Sequence, residues 1–142
     1  MNAHLPSLGD EKLRMDISAA MVDLYSQYFP SRATMADTFI NRNTVLCVLE
    51  EIFDETELAS IKNGCEREVL KRRAEIQESV KGKLTGAVER LTDRRVTAFM
   101  SMNHADPAIA AELFFLERDS ARGGHRSMPE SPSVYGKMRD VS

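Results

Sequence analysis

Cysteine is scarce in this sequence, and its few thiols form no recognised pattern. Of the 142 residues, 2 are cysteine, and Cys47 and Cys65 lie too far apart for a CxxC motif. Two thiols at this spacing do not indicate a disulfide framework. We therefore expect a reduced, cytoplasmic protein in which Cys47, set in an apolar segment, is chemically inert.

Long hydrophobic runs and an excess of positive charge are also missing. The longest apolar runs, such as Val45–Leu49, are short, whereas a membrane-spanning helix needs about 20 apolar residues. We expect no direct insertion into a membrane. The first residues have neither a basic start nor an apolar core, so we do not expect a secretion signal. The net charge is −3, so no global basic field would recruit nucleic acid.

Basic residues do cluster between positions 67 and 95, but glutamates interleave with them. Several of these opposite charges stand four residues apart, as solvated pairs on a helix do. No aromatic platform accompanies the cluster. The pattern predicts a solvated helix face and no nucleic-acid partner.

What the sequence does contain is the composition of one soluble domain. Hydrophobic residues make up 42% and charged residues 29%, which is enough for a core and a solvated surface. We place the domain over residues 9–118. Residues 1–8 are expected to be a flexible leader, and residues 119–142, rich in glycine, serine, proline and charge, a disordered tail.

Hydrophobic spacing and turn residues predict the order helix, hairpin, helix pair, hairpin. Pro30 ends the first helix, Asn41-Arg42-Asn43 forms the first turn because asparagine tolerates positive φ, and Asn63-Gly64 separates the helix pair. The predicted helices cover residues 9–29, 55–63 and 65–92, and the predicted strands cover 36–41, 44–52, 96–102 and 109–116.

Segregated hairpins point to an α+β fold. The economical arrangement is one four-stranded, mostly antiparallel sheet with the helices, one of them long, packed on one face. In the third strand, strict alternation predicts that Val96 and Met100 point one way and that Phe99 and Ser101 point the other.

The turn of the second hairpin contains the first candidate site, His104 and Asp106 in the segment NHADP. An imidazole and a carboxylate could bind metal or transfer protons, but a metal needs three or four ligands and the segment offers two. We predict a turn without metal, in which Asp106 accepts backbone hydrogen bonds and Pro107 begins the next strand.

Two further charged positions stand beside strands. Arg94 and Arg95 follow the long helix, where the macrodipole stabilises a cation, and Arg95 with a neighbour could bind a small anion such as bicarbonate or phosphate. Glu112 lies between apolar residues within a strand. It either pairs with Arg94 or Arg95, or lies on a partly solvated face.

Three segments carry a family resemblance: TVLCVLEEIFDETE, RRAEIQESV and AVERLTDRRVTAFMSMNHADPAIAAELFFLE. In order and spacing they resemble the bacterial MpsC-like domain family, from about Met21 to Glu117 and most densely from Arg72 onward. The chain departs from the family pattern after the first helix, where FPSRATMAD replaces a glycine-rich connection. It also departs at Asp93, where members often carry glycine.

The resemblance implies a context. It links the chain to a Na+-translocating, membrane-potential-generating system associated with inorganic-carbon supply, in which this domain is soluble and has no established catalytic residues to carry over.

Two functional hypotheses follow. The first is a non-enzymatic, cytosolic interaction or regulatory domain that forms a homodimer and contacts a membrane transport-system protein, with no cofactor, metal or catalytic residue. The alternative is a small-anion-binding protein or enzyme with a pocket near Arg95, His104 and Asp106, with Glu112 as a further candidate.

Overall fold

The computed structural model describes residues 8–30 and 35–118, and the predicted order of elements is confirmed within them. In chain order the elements are α1 (Leu8–Tyr28), β1 (Met35–Asn41), β2 (Thr44–Glu50), α2 (Glu55–Lys62), α3 (Glu66–Thr92), β3 (Val96–His104) and β4 (Ile109–Leu116). Apart from Leu8, which begins α1, the predicted leader and tail lie outside the described residues.

The four strands form one sheet in the order β1-β2-β4-β3. Every neighbouring pair is antiparallel, so the α+β prediction is confirmed. The two hairpins meet where β2 pairs with β4, with Cys47 opposite Glu112. This junction places β2 and β4 at the centre of the sheet and β1 and β3 at its edges.

Local signals define the ends of the helices. Asp54 and Glu57 form a reciprocal capping box at the start of α2, with Glu57 N donating to Asp54 Oδ1 at 2.8 Å and Asp54 N donating to Glu57 Oε1 at 3.1 Å. Gly64, with φ of +88°, separates α2 from α3. Asp93 ends α3 in the left-handed region, where its N–H donates to the carbonyl of Glu89.

Backbone conformation differs from the sequence predictions at two places. In the first hairpin the residue with positive φ is Arg42, at 59°, although asparagine was predicted to take this role. Strand β2 ends at Glu50 and does not reach residue 52, because Glu51 takes φ of 58° and turns the chain out of the ladder.

The helices pack on one side of the sheet, which we call the inner face. Helix α1 contacts β1 and β2, α3 contacts β3, and the two helices contact each other. The core joins them to alternate strand residues, as period-two alternation requires. Its fully buried members include Ile17, Met21, Tyr25, Val45, Leu49, Leu84, Val88 and Phe114.

The opposite side of the sheet, which we call the outer face, carries no helix. It consists of Met35, Asp37, Phe39 and Asn41 of β1, Thr44, Leu46, Val48 and Glu50 of β2, Ala98, Met100, Met102 and His104 of β3, and Ile109, Ala111, Leu113 and Phe115 of β4. These residues are exposed or half-buried, whereas the alternating inner residues of β2 and β4 are buried.

The predicted alternation along β3 is wrong at its start. A register shift between Val96 and Ala98 places Val96 on the core side with Phe99. The extra residue of a bulge reverses the sidedness on one side of it. From Phe99 onward the alternation is as predicted, with Ser101 half-buried on the inner face and Met100 exposed on the outer face.

Candidate functional site

One row of the inner face is polar, although it lies in the core. Across β1, β2, β4 and β3 the paired residues of this row are Thr38, Cys47, Glu112 and Ser101. Glu112 is 0% exposed, because alternation along β4 places it on the same side as Ala110 and Phe114. A carboxyl group in such a position requires hydrogen-bond partners.

Glu112 finds its partners on the helices. The hydroxyl of Tyr25 on α1 donates to Glu112 Oε2, and Gln77 Nε2 on α3 donates to the same oxygen at 3.0 Å. Gln77 Oε1 in turn accepts from Asn103 Nδ2 on β3 at 2.7 Å. We call Tyr25, Gln77, Asn103 and Glu112 the polar cluster, and it joins both long helices to the sheet through side chains.

Burial raises the pKa of Glu112, and the nearby Ser101 hydroxyl, the hydrogen bonds from Tyr25 and Gln77, and the attraction of Arg73 lower it in part. The raised pKa of Tyr25 has burial as its largest cause, followed by repulsion from Glu112, so the phenol keeps its proton. The cluster can therefore hold a proton on Glu112 at a higher pH than an ordinary carboxyl group would. Tyr25, Gln77 and Glu112 are buried, whereas Asn103 is half-buried at the side of the cluster.

Among the described residues, Glu112 Oε1 and Ser101 Oγ complete no hydrogen bond. They belong to residues that face each other in the register of β3 and β4, and the Ser101 hydroxyl is close enough to influence the pKa of Glu112. A serine hydroxyl can donate to a carboxylate or accept from a protonated carboxyl group, so this pair of oxygens can accommodate Glu112 in either form.

A buried ion pair lies beside the polar cluster. Arg73 on α3 is 0% exposed, and its Nη1 donates to the two carboxylate oxygens of Glu57 at 3.1 and 3.3 Å. The guanidinium carbon lies 4.5 Å from the ring centroid of Phe29 and 5.3 Å from that of Phe53. The aromatic rings stabilise the cation, and the pair joins α2 to α3 beside Phe29, which follows α1.

The structure does not bring the predicted site residues together. Arg95 directly precedes β3 and His104 ends it, so the nine residues of this strand separate them by about 30 Å at 3.3 Å per residue. Asp106 lies in the turn beside His104, and Glu112 is buried on the inner face. The length of β3 therefore keeps Arg95 apart from His104 and Asp106.

The prediction that Glu112 pairs with Arg94 or Arg95 is wrong, and so is the alternative of a partly solvated face. The register places Ser101 opposite Glu112, while Arg94 Nη1 donates to the carbonyl of Glu117 at 3.3 Å. Backbone N–H of Arg95 likewise bonds the Glu117 side chain. Both arginines therefore lie at the open end of the hairpin beside Glu117, whereas Glu112 lies midway along β4.

The turn predicted for NHADP is present at residues 105–108, but a different side chain holds it. His104 Nδ1 lies 2.9 Å from the carbonyl oxygen of Pro107, whereas Asp106 makes no hydrogen bond within the described part of the chain. Asp106 was predicted to make the backbone contact. The imidazole is longer and reaches across the turn from the strand end.

The described residues contain no group of three or more His, Cys, Asp or Glu side chains that could hold a metal. Cys47 is buried, and burial raises the pKa of its thiol to about 11, which disfavours the reactive thiolate. An open concavity lies between the ends of α1 and β2 and the start of α2, where Pro30, Glu51, Phe53 and Asp54 contribute to its lining. None of the predicted site residues lines it.

The sequence did not lead us to predict the helix residues of the polar cluster or the buried ion pair. A signal was available, because Arg73 and Gln77 continue the core spacing of Val69, Val80 and Leu84 along α3. Polar residues at core positions of a helix indicate buried hydrogen-bond partners. On α1 the tyrosine that enters the core is Tyr25, which is buried, whereas Tyr28 is exposed.

The comparison with protein families matches residues 10–118 to the family described as Na+-translocating membrane potential-generating system (MpsC). No curated protein and no solved structure matches the chain. Within residues 8–30 and 35–118, no helix has the length and apolar character needed to cross a membrane.

Proposed function

This chain belongs to the MpsC family of the Na+-translocating membrane potential-generating system, and on that premise we propose that it is a non-enzymatic interaction or regulatory domain. It acts in the cytosol as a homodimer and contacts a protein component of the membrane system. The process it serves is inorganic-carbon or ion uptake.

The observation that carries this proposal is the outer face. Its large apolar side chains are strongly exposed: Met35 at 59%, Phe39 at 55%, Met100 at 54% and Met102 at 69%. Contiguous apolar surface of this kind marks sites of protein interaction. It spans all four strands, so the feature belongs to the sheet as a whole.

The enclosed polar groups support the same proposal. Glu112 and Arg73, both 0% exposed, bond to Tyr25, Gln77 and Glu57 inside the fold. Catalytic groups must reach a substrate, whereas Glu112 connects α1 and α3 to the sheet and Arg73 connects α3 to α2. A small-anion pocket would need Arg95 and His104 at one place, and a whole strand separates them.

The proposal is tested by deleting the gene in the cell that carries it and measuring the membrane potential with a potential-sensitive dye. We expect a reduced potential that the wild-type chain restores. The Arg95→Ala and Asp106→Ala variants should restore it equally well, since neither residue belongs to the outer face.

A variant of the outer face, Met102→Lys, should restore the potential poorly while accumulating to the same level. The matched control is Met15→Lys, which changes a methionine of α1 that is 64% exposed. Loss of function in Arg95→Ala or Asp106→Ala would contradict the proposal and favour the ligand-binding alternative. An unchanged potential after deletion would contradict the link to the membrane system.

A further inference from the structure

We propose that the outer face is the surface on which a second copy of this chain docks, so that two four-stranded sheets stack face to face with the helices outside. This inference rests on the proposed interaction role and names the surface that serves self-association. It follows from the pattern, the size and the charge of the outer face.

The pattern is a grid set by the strand register. One row across β1, β2, β4 and β3 consists of Phe39, Leu46, Leu113 and Met100, all apolar. The next outward row contains Asp37, Val48, Ala111 and Met102, and its single charge lies on the edge strand. The centre of the outer face therefore carries no charge and no long polar side chain, as is typical of the core of an interface.

The size of the face favours an occupant as wide as the sheet. Four strands spaced about 4.8 Å apart are about 19 Å wide, and strands of seven to nine residues are about 23 to 30 Å long. The face thus projects about 500 Å² per copy, and two copies reach the roughly 1,000 Å² of a specific interface only if all of it is covered.

A second copy meets this requirement because its outer face has the same dimensions. Sheets pack face to face about 10 Å apart with their strands nearly aligned. A single helix, about 10 to 12 Å in diameter, would cover about half of the width and leave an edge strand with either Phe39 or Met100 uncovered.

The charges also favour a second copy over a membrane surface. None of the residues of the outer face is Lys or Arg, while Asp37 and Glu50 contribute carboxylates at its margin. An anionic leaflet attracts basic surfaces and would not attract this one. Two copies bring together neutral centres and leave the marginal carboxylates in reach of water.

The test is sedimentation equilibrium of the full chain over a wide concentration range, with Phe39→Lys, Met100→Lys and the control Met15→Lys. We expect the wild type to approach twice its chain mass of 16.0 kDa. Each lysine on the outer face should raise the dissociation constant at least 100-fold, because the ammonium group must be buried without a partner.

The control variant should leave the dissociation constant unchanged. Phe39 and Met100 are more than half exposed in one copy, at 55% and 54%, so their substitution is not expected to unfold the chain, and circular dichroism checks this. A dimer that neither lysine weakens would place the interface elsewhere and overturn the proposal.

Methyl NMR of labelled methionine with a soluble paramagnetic probe supplies a second measurement. Met100 and Met102 should be shielded in the dimer and become accessible on dilution, while Met15 stays accessible throughout. A chain that remains monomeric at every concentration overturns the proposal. Accessible Met100 and Met102 methyl groups would then mean that the outer face is bare. Shielding at all concentrations would mean that another segment of the same chain covers it, and shielding only on anionic vesicles would mean that a membrane does.

These measurements are independent of the membrane-potential assay. A monomeric chain that still restores the potential would overturn this docking surface and leave the proposed function intact. A dimer that responds to the lysine variants as expected, in a chain whose deletion leaves the potential unchanged, would retain the surface and overturn the function.

Discussion

At the scale of single residues, Glu112 shows how a fold can enclose an ionisable group without a countercharge in direct contact. Its partners are the neutral Tyr25 and Gln77, and burial is the largest cause of its raised pKa. The neutral form is thereby favoured in the folded state relative to the unfolded state.

This shift makes stability depend on pH. The folded state holds the Glu112 proton more tightly than the unfolded state. The stability that this proton contributes is therefore complete below the ordinary pKa of 4.5. It is lost as the pH rises through the raised folded pKa. Glu112→Gln, which keeps the shape and removes the charge, should be more stable than the wild type on the alkaline side.

Denaturant midpoints measured from acid to alkaline pH check this expectation. The matched control is Glu75→Gln on α3, where the side chain is exposed and the pH profile should follow the wild type. A Glu112→Gln effect of the same size at all pH values would show that folding does not raise the pKa of Glu112.

Two of the ion pairs on the helices provide a second contrast between residues. Arg73 and Glu57 approach to 3.1 Å with side chains 0% and 9% exposed, whereas Lys12 and Asp16 approach to 2.9 Å with side chains 76% and 41% exposed. The distances are similar, so burial decides the energetic difference.

Glu57→Gln should destabilise the protein by about 3 kcal/mol, because it leaves the enclosed guanidinium without its countercharge. Lys12→Ala should cost less than about 0.5 kcal/mol, since water screens the exposed pair. Chemical unfolding of both variants measures these values. Similar small losses for the two variants would mean that Arg73 is stabilised by its aromatic neighbours alone.

At the scale of elements, the β3–β4 hairpin depends on a turn closed by one side chain. His104 bonds to the carbonyl of Pro107 at 2.9 Å, while Asp106 makes no hydrogen bond in the described structure. The side chain that matters most is therefore not the one that turn preferences alone indicate.

We accordingly expect His104→Ala to cost about 0.5 to 1 kcal/mol through the lost hydrogen bond. Asp106→Ala should cost less than about 0.5 kcal/mol, as substitutions without partners do. Urea midpoints for the two variants establish the order. The reverse order would restore the prediction made from the sequence, in which Asp106 holds the turn.

At the scale of the whole molecule, one sheet divides the protein into a covered side and an uncovered side. The inner face receives α1 and α3, and Tyr25 and Gln77 of these helices donate hydrogen bonds to Glu112 in its polar row. The outer face carries Phe39, Met100 and Met102 without cover by any described helix. An apolar surface outside and a polar cluster inside reverse the usual distribution, which a second copy on the outer face would restore.

The tail, residues 119–142, lies outside the described residues, and the prediction for it comes from composition. So polar a segment cannot bury enough apolar surface to offset an ordering entropy of about 1–2 kcal/mol per residue. A chain ending at Arg118 should therefore melt within about 5 °C of the full chain. Calorimetry measures this, and a larger drop would show that the tail contributes contacts to the domain.

The sequence by itself determined the elements, their order and the fold class, because the signals for them act over short distances. Apolar spacing along α3, the capping residues Asp54 and Glu57, and the break at Gly64 each depend on neighbours within a few positions. For the same reason the family resemblance, which rests on ordered segments, is confirmed over residues 10–118.

Only the tertiary structure decided which side chains meet. The pairing of Glu112 with Tyr25 joins residues 87 positions apart, and no local pattern reports such a contact. The strand order β1-β2-β4-β3 and the bulge after Val96 determined which side of each strand faces the helices. Since a shift of one residue exchanges the two faces of a strand, the buried polar cluster and the apolar outer face could be assigned only once the register was known.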